Sequence, residues 1–456
     1  MTQGNAMSQM MNKAIGICST YHWKDLLCQG YEKTVGESRR FAKLWIEEDH
    51  QPEVCLSAPE RNGLKGHIRL LYVVHRPLDN GGGTELFTKH LAEEMARRGH
   101  CVTVLAHSDE RRRDYSHRTG NVLWRERQEG AIRVIEYRHA KPPCGVLTDV
   151  LFDDPDICGF GKELLRTIEP DFVHITHLRA GAAVAKACIE MHVPYGMTMT
   201  DFFCVCRYST LIDRHGRCCR KRDCETRCGI SACRVQAREL AVKRMMEHAC
   251  FVAAPSGYVA SRLFAEYGKR CYRIAHDVNV PSSYRREERV ASRRLLYVGK
   301  LAPLKGLHLF LQAAIQVKQP FSLTICGRGN RLYEKKLKRI VKGDPRVRFA
   351  GAVPHDEIWR AYAEADAVVI PSLCPETYCL AAHEAIAAGC RIMAVPNGAL
   401  REAIRESDGV SLHSFSVDCI EAGLEELDKK TAAPQRRTQT PECDGYGALY
   451  ADAVTT

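Results

Sequence analysis

Residues 67–107 read HIRLLYVVHRPLDNGGGTELFTKHLAEEMARRGHCVTVLAH, and this stretch decides the fold class. Ile68–His75 is an apolar run of strand length. The glycine-rich loop Arg76–Gly83 follows, and then Thr84–Arg98 repeats its apolar residues every three or four positions, as an amphipathic helix does. Gly99 is placed to stop that helix, and Cys101–His107 is a second buried strand. Strand, loop, helix and strand in this order predict a βαβ unit with parallel strands.

The same alternation runs outward in both directions. Strands are expected at Ala131–Tyr137, Asp171–His177, Tyr195–Thr200 and Phe251–Ala254, with helices at Gly181–Met191, Val235–His248 and Tyr258–Tyr267. A polar, arginine-rich segment at 273–293 reads as a linker. Beyond it the series restarts with strands at Arg294–Val298, Ser322–Cys326, Val347–Ala350, Ala367–Ile370 and Arg391–Val395. Helices are expected between them at Leu307–Val317, Arg331–Val341, Asp356–Ala363 and Leu380–Ala388. The pattern predicts an α/β protein of two Rossmann-like, doubly wound lobes facing a cleft. The expected divisions are a variable extension at 1–65 with a helix near Lys33–Glu47, a first lobe at 66–272, the linker, a second lobe at 294–436 and a tail at 437–456. A cysteine-rich insertion at 204–233 interrupts the first lobe.

Composition narrows the class. The 456 residues are 45% apolar and 27% charged, the balance of a soluble globular protein. No apolar run approaches the ~18–20 residues of a membrane span, and the N-terminus has no secretory pattern, so a cytoplasmic location is expected. The net charge of +11 favours phosphates or anionic surfaces as partners. Most of the 22 cysteines stand singly in apolar segments, where a thiol is a small buried hydrophobe.

Two loops carry the chemistry. Pro371–Glu384 reads PSLCPETYCLAAHE, with Glu376 in a loop after a strand and Glu384 one turn into the next helix. The amides of Tyr378, Cys379 and Leu380 then lie at a helix start, where unpaired N–H groups and the helix dipole suit a phosphate. Tyr297–Gly306 reads YVGKLAPLKG, and it places Gly299, Lys300 and Lys305 after another strand. Two cations there suit a diphosphate.

These segments resemble the retaining glycosyltransferases of the GT-B fold, the family of sucrose synthases, glycogen synthases and many bacterial cell-envelope enzymes (glycosyl transferases group 1). The resemblance rests on LDNGGGTELFTKHLAEEMARRGHCVTVLA, YVGKLAPLKGL, LTICGRGN, VRFAGAVPHDEIWRAYAEADAVVIPS and PETYCLAAHEAIAAGCRIMAVPNGALREAI, in that order. It implies a nucleotide-sugar donor whose diphosphate is gripped by Lys300 and Lys305. Glu384 would meet the ribose and Glu376 the donor sugar. Gly327, within Cys326–Gly329, and Val353–Ile358 would flank the base. Gly82 and Gly83 would let the first lobe approach the donor. The chain departs from the family in having Lys300 where many relatives have Arg, Cys379 where many have Gly, and Thr200 where several have His. His174 and His177, at the end of a first-lobe strand, are candidates for the acceptor side.

The insertion reads CVCRYSTLIDRHGRCCRKRDCETRCGISAC from Cys204 to Cys233. A subset of relatives has similar cysteines, which implies a structural zinc held by Cys206, Cys219, Cys224 and Cys228; four thiolates close a tetrahedral site. Cys204, Cys218 and Cys233 are alternative ligands, and unliganded surface thiols are the competing reading. The expected activity is sugar transfer with retention to a glycan, a lipid-linked saccharide or another cell-envelope precursor. No cofactor is required for catalysis, peripheral contact with an anionic membrane is allowed, and no nucleic-acid partner is expected. A GT-B phosphorylase or epimerase is the alternative enzyme. A zinc-stapled, basic nucleic-acid-binding protein is the alternative outside that class.

Overall fold

The computed structural model describes residues 55–56, 66–108, 114–141, 153–213, 216–219, 223–286, 293–354, 357–429 and 443–455. The expected helix at Lys33–Glu47 lies outside them.

Two sheets organise the chain. The first contains β1 (Cys55–Leu56), β2 (Arg69–Val74), β3 (Cys101–His107), β4 (His117–Thr119), β5 (Val122–Glu129) and β6 (Ile132–His139). It also contains β7 (Phe172–Ile175), β8 (Tyr195–Thr198), β9 (Phe251–Ala254) and β10 (Cys271–Arg273). Their order is β1-β10-β9-β8-β7-β2-β3-β6-β5-β4. The helices that cover it are α1 (Gly83–Arg97), α2 (Pro155–Ile168), α3 (Leu178–Met191), α4 (Cys224–Cys228), α5 (Ala232–His248) and α6 (Gly257–Tyr267). Both faces of the parallel strands are buried, which is why they read as continuous apolar runs. On β2, Leu71 and Val73 join one core while Leu70, Tyr72 and Val74 join the other.

The second sheet has β11 (Arg294–Val298), β12 (Ser322–Cys326), β13 (Val347–Gly351), β14 (Ala367–Ile370), β15 (Arg391–Ala394) and β16 (Val410–Ser411), in the order β13-β12-β11-β14-β15-β16. This is the 3-2-1-4-5-6 order of a doubly wound sheet. Every pairing in it is parallel. Its helices are α7 (Leu307–Ala314), α8 (Arg331–Val341), α9 (Ile358–Glu364), α10 (Leu380–Ala387), α11 (Leu400–Glu406) and α12 (Val417–Lys429). The last helix, α13 (Cys443–Thr455), returns to the first lobe, where Tyr446 and Tyr450 are buried in the core of β2.

The structure corrects several expectations. The first sheet is mixed, because β4, β5 and β6 form an antiparallel edge. Its ladder was hidden by charge: Arg125 and Arg127 of β5 both pair with the buried Glu136 of β6. Helix α2 was also unanticipated; Asp154 caps it by accepting from the Ile157 amide, and Pro155 sits in its first turn. The region read as lacking a strand ladder contributes β1, paired in parallel with β10. The strand expected at 171–177 stops at Ile175, because His177 turns to cap α3.

Candidate active site

The strand order reverses at β2 in the first sheet and at β11 in the second, and ligands of such sheets bind at that reversal. In the second sheet the reversal lies between β11 and β14, which are paired neighbours. The loops after these strands carry Lys305 and Glu376. The loops approach too closely for a side chain at their contact points. A Cβ on Gly306, whose φ is 69°, would stand 1.8 Å from the Pro371 carbonyl oxygen, and one on Gly327 would stand 1.9 Å from the Gly299 oxygen. Packed so closely, the loops bring Lys305 Nζ to 2.6 Å from Glu376 Oε1, to which it donates. Ser372 Oγ donates to the same oxygen. Burial alone would lower the Lys305 pKa, but the Glu376 carboxylate outweighs it and pushes the ammonium above its ordinary value. Lys300 is exposed at the strand end, and its backbone carbonyl accepts from the Tyr297 hydroxyl. Glu376 is fixed by its backbone: its amide donates to Asn397 O and its carbonyl accepts from the Ala399 amide.

Helix α10 begins at Leu380, and its N-cap is Cys379, held at φ 70°, ψ 80°. A β-carbon is unfavourable at such an angle, where glycine would be at ease. The Cys379 thiol is pushed up to about 12, first by burial and next by Glu376, so it stays protonated. Glu384 is buried and accepts the Tyr362 hydroxyl at 2.7 Å. Tyr378 contributes more than an amide: its ring stacks on His383 at 3.7 Å, and its hydroxyl donates to the His276 carbonyl of the linker.

The first lobe faces these loops closely. A Cβ on Gly83 would lie 3.7 Å from Leu380 Cδ1 across the cleft. Gly82 is the N-cap of α1, where a Cβ would run into the Glu85 carboxylate at 2.2 Å. Thr200 Oγ1 accepts from Thr84 and donates to Thr176 O, while its backbone carbonyl accepts from Thr377 Oγ1 of the second lobe. Ser256 Oγ donates to Thr377 O, so Thr377 is held from two sides. A further clamp joins Glu402 to the Gly257 and Tyr258 amides and to Arg273.

The two histidines proposed for the acceptor side part company. His174 is fully buried beneath α13, with Nδ1 2.7 Å from the Tyr450 hydroxyl and Nε2 2.8 Å from Thr198 Oγ1. Burial drives its pKa down to about 3. It is a core residue and does not reach the cleft. His177 stands at the strand end, where Nδ1 accepts from the Arg179 amide and Nε2 lies 2.8 Å from Asp201. Accepting at Nδ1 leaves the proton on Nε2. Its ring stacks on His75 at 3.7 Å, and His75 lies 3.4 Å from Glu85. Neither His75 nor Glu85 was singled out from sequence; their signal was position, one just after a strand and one in the first turn of the next helix.

Cys206, Cys219, Cys224 and Cys228 line one cavity of about 20 Å³, together with Arg262 and Glu266. The alternatives differ: Cys233 is exposed, Cys204 is buried with a carbonyl that accepts the Tyr267 hydroxyl, and Cys218 packs against Cys374. The Cys219 thiol is raised, first by burial and next by Cys206. Among the described residues, no helix is long and apolar enough to cross a membrane.

Comparison with known proteins agrees with this fold. The family model for glycosyl transferases group 1 matches residues 292–427, and that for the glycosyl transferase 4-like domain matches residues 82–275. Over 162 residues the chain is 32% identical to glycogen synthase of Mycobacterium tuberculosis (strain ATCC 25618 / H37Rv), covering 34% of this chain and 38% of that protein. It is 33% identical over 129 residues to lipopolysaccharide 1,2-N-acetylglucosaminetransferase of Salmonella typhimurium, covering 26% of this chain and 33% of the relative. The matched stretches thus span little more than a third of these relatives. Sucrose-phosphate synthase from Thermosynechococcus elongatus superposes with a TM-score of 0.60 at 17% identity, over 85% of this chain and 95% of that one. The catalytic domain of starch synthase IV from Arabidopsis thaliana gives 0.56 at 13% identity, over 86% and 100%. With two lobes of this topology and consecutive family matches over both of them, the chain belongs to the GT-B glycosyltransferases.

Proposed function

We propose that the chain transfers a hexosyl group from a nucleotide sugar to a glycan, a lipid-linked saccharide or another cell-envelope precursor, with retention of anomeric configuration. The observation that carries this reading is the Lys305–Glu376 pair at the β11/β14 reversal. Two solved relatives of the fold support the donor class: Anabaena HepE was crystallised with UDP-glucose, and the Arabidopsis starch synthase IV domain with ADP.

As the bond between sugar and diphosphate breaks, negative charge grows on the leaving phosphate. Lys305, kept charged by Glu376, would lie against it, with Lys300 at the open side. Fixed charges aimed at developing charge are the largest catalytic contribution a site of this kind offers. Glu376 would accept from donor-sugar hydroxyls and Glu384 from the ribose, in exchange for part of its bond to Tyr362. Thr200 cannot shuttle a proton as an imidazole would. Its role is to hold Thr377, and hence Glu376, against the first lobe.

The reading includes a structural zinc at Cys206, Cys219, Cys224 and Cys228. What supports it is that the four cysteines are among the residues lining one small cavity, and four thiolates suit that ion; among the described residues, however, only His139, Asp154 and Asp156 already bring their ligand atoms within 4.8 Å of one another, so zinc would have to draw the thiols together. The metal would staple the insertion and leave no coordination position for substrate. It also includes a cytoplasmic site of action with the basic insertion, Arg207 and Arg227 among its residues, near anionic lipid.

Donor hydrolysis across a panel of UDP-, GDP- and ADP-sugars tests the activity. One donor should turn over, and Glu376→Ala should lower that turnover about a hundredfold or more, a loss of ~2.7 kcal/mol in the transition state. Lys305→Ala should also weaken binding of the matching nucleoside diphosphate. Unchanged diphosphate binding in a folded Lys305→Ala protein would remove Lys305 from the donor site.

A further inference from the structure

The cysteine-rich insertion does not stay within the first lobe. Ile212 and Cys218 face each other across an antiparallel bridge, and both are buried against Cys374 and Leu304 of the second lobe. Those partners flank the chemistry: Leu304 precedes Lys305, and Cys374 lies two positions before Glu376. They also belong to one unit, because the Leu373 amide donates to the Leu304 carbonyl at 2.8 Å. On its other flank Glu376 is followed by Thr377, which Thr200 and Ser256 hold. The donor loop is thus bracketed by first-lobe contacts on both sides of Glu376.

The two arms that make the contact are tied to each other by hydrogen bonds. Asp213 is fully buried; its amide donates to Arg217 O, and its carboxylate accepts the Arg217 amide at 2.9 Å. The Cys219 amide donates to Leu211 O at 2.6 Å, so the stem of the hairpin runs directly into the thiol-lined cavity.

We propose that the Ile212–Cys218 hairpin is a positioning device for the reaction, which fixes the Lys305 and Glu376 loops through Leu304 and Cys374. The proposal rests on the glycosyltransferase reading above. The hairpin touches no substrate. It sets the geometry of the groups that do, and it makes turnover depend on the state of the thiol cluster behind it. Because Lys305 lies on one of the fixed loops, loss of the contact would cost turnover most and diphosphate affinity less.

Ile212→Ser, Ile212→Val, Leu304→Ser and the double variant Ile212→Ser/Leu304→Ser test this in the full chain. The probes are UDP, GDP and ADP by titration calorimetry, and hydrolysis of the corresponding UDP-, GDP- and ADP-sugars. Ile212→Ser should lower kcat about tenfold while diphosphate Kd changes less than about threefold, and the double variant should be no worse than the poorer single one, as coupled neighbours behave. Ile212→Val should retain at least about half of the parent turnover, since it keeps an apolar contact of nearly the same shape. Hydrogen exchange of residues 371–379 should rise about tenfold in Ile212→Ser, with the rest of the second sheet unchanged. Parent-like kcat and exchange in Ile212→Ser would overturn the proposal, as would fully additive losses or exchange raised throughout the protein. If Ile212→Ser does not fold, Leu304→Ser applies the same criteria from the opposite lobe. Exchange needs no substrate, so a parent that hydrolyses none of the donors would overturn the glycosyltransferase reading, and the exchange result would still decide the contact.

Discussion

Gly306→Ala is the most demanding probe of the donor loops. Gly306 has φ 69°, and an alanine there costs roughly 1–2 kcal/mol in backbone strain. Its new methyl would lie 1.8 Å from the Pro371 carbonyl oxygen, where ordinary contact begins at 3.4 Å. The Lys305 and Glu376 loops must therefore part by about 1.6 Å, and a misplacement of about 1 Å can cost on the order of a hundredfold in rate. Gly343→Ala is the matched control, with φ 79° and no heavy atom within 4 Å of the added methyl. Both variants should melt a few degrees lower, at about 2–4 °C per kcal/mol for lobes of this size. Only Gly306→Ala should lose about a hundredfold in donor hydrolysis. Turnover in Gly306→Ala within about threefold of Gly343→Ala would refute the argument that loop contact sets the geometry of the pair.

Cys379→Gly should raise the melting temperature, by relief of roughly 1 kcal/mol at φ 70°, and keep its turnover; a lower melting temperature would show that the buried thiol matters more than the backbone angle. Buried histidines should make the protein acid-sensitive. His174 is held at about 3 by burial, against about 6.5 in the unfolded chain, so the unfolded state takes up the proton first. That contribution is whole above pH 6.5 and drains away as pH falls toward 3. His174→Gln should therefore lose about 2 kcal/mol less stability than the parent between pH 7 and pH 5 in urea titrations, and parallel pH profiles would contradict it. Protein purified under reducing conditions should carry about one zinc per chain and lose it in Cys224→Ser/Cys228→Ser. Zinc retained by the double variant would mean other ligands.

The parallel strands were readable because burial on both faces leaves them apolar along their whole length, as Leu70–Val74 shows. Lys305 and Glu376 were readable as loop residues after strands, but their direct bond was not, because it depends on two loops meeting at glycine contacts far apart in sequence. The β4–β5 edge escaped notice because Arg125 and Arg127 disguise a strand whose charges are matched by Glu136 on its neighbour, by Asp114 and by Glu129. His174 was misread because a strand-end histidine looks the same whether it meets solvent or a distant helix. The tyrosines that seal it arrive from residues 446 and 450.

That distant helix has a consequence for how the protein comes into being. The hydroxyls of Tyr446 and Tyr450 meet Thr198, His174 and Tyr72, so α13 is part of the first lobe's interior. Synthesis delivers it only after the entire second lobe. A nascent chain that has emerged only as far as residue 429 lacks the two tyrosines that bond to Thr198, His174 and Tyr72. The earlier lobe must wait for the later one, and the chain locks like a strap whose buckle is threaded last.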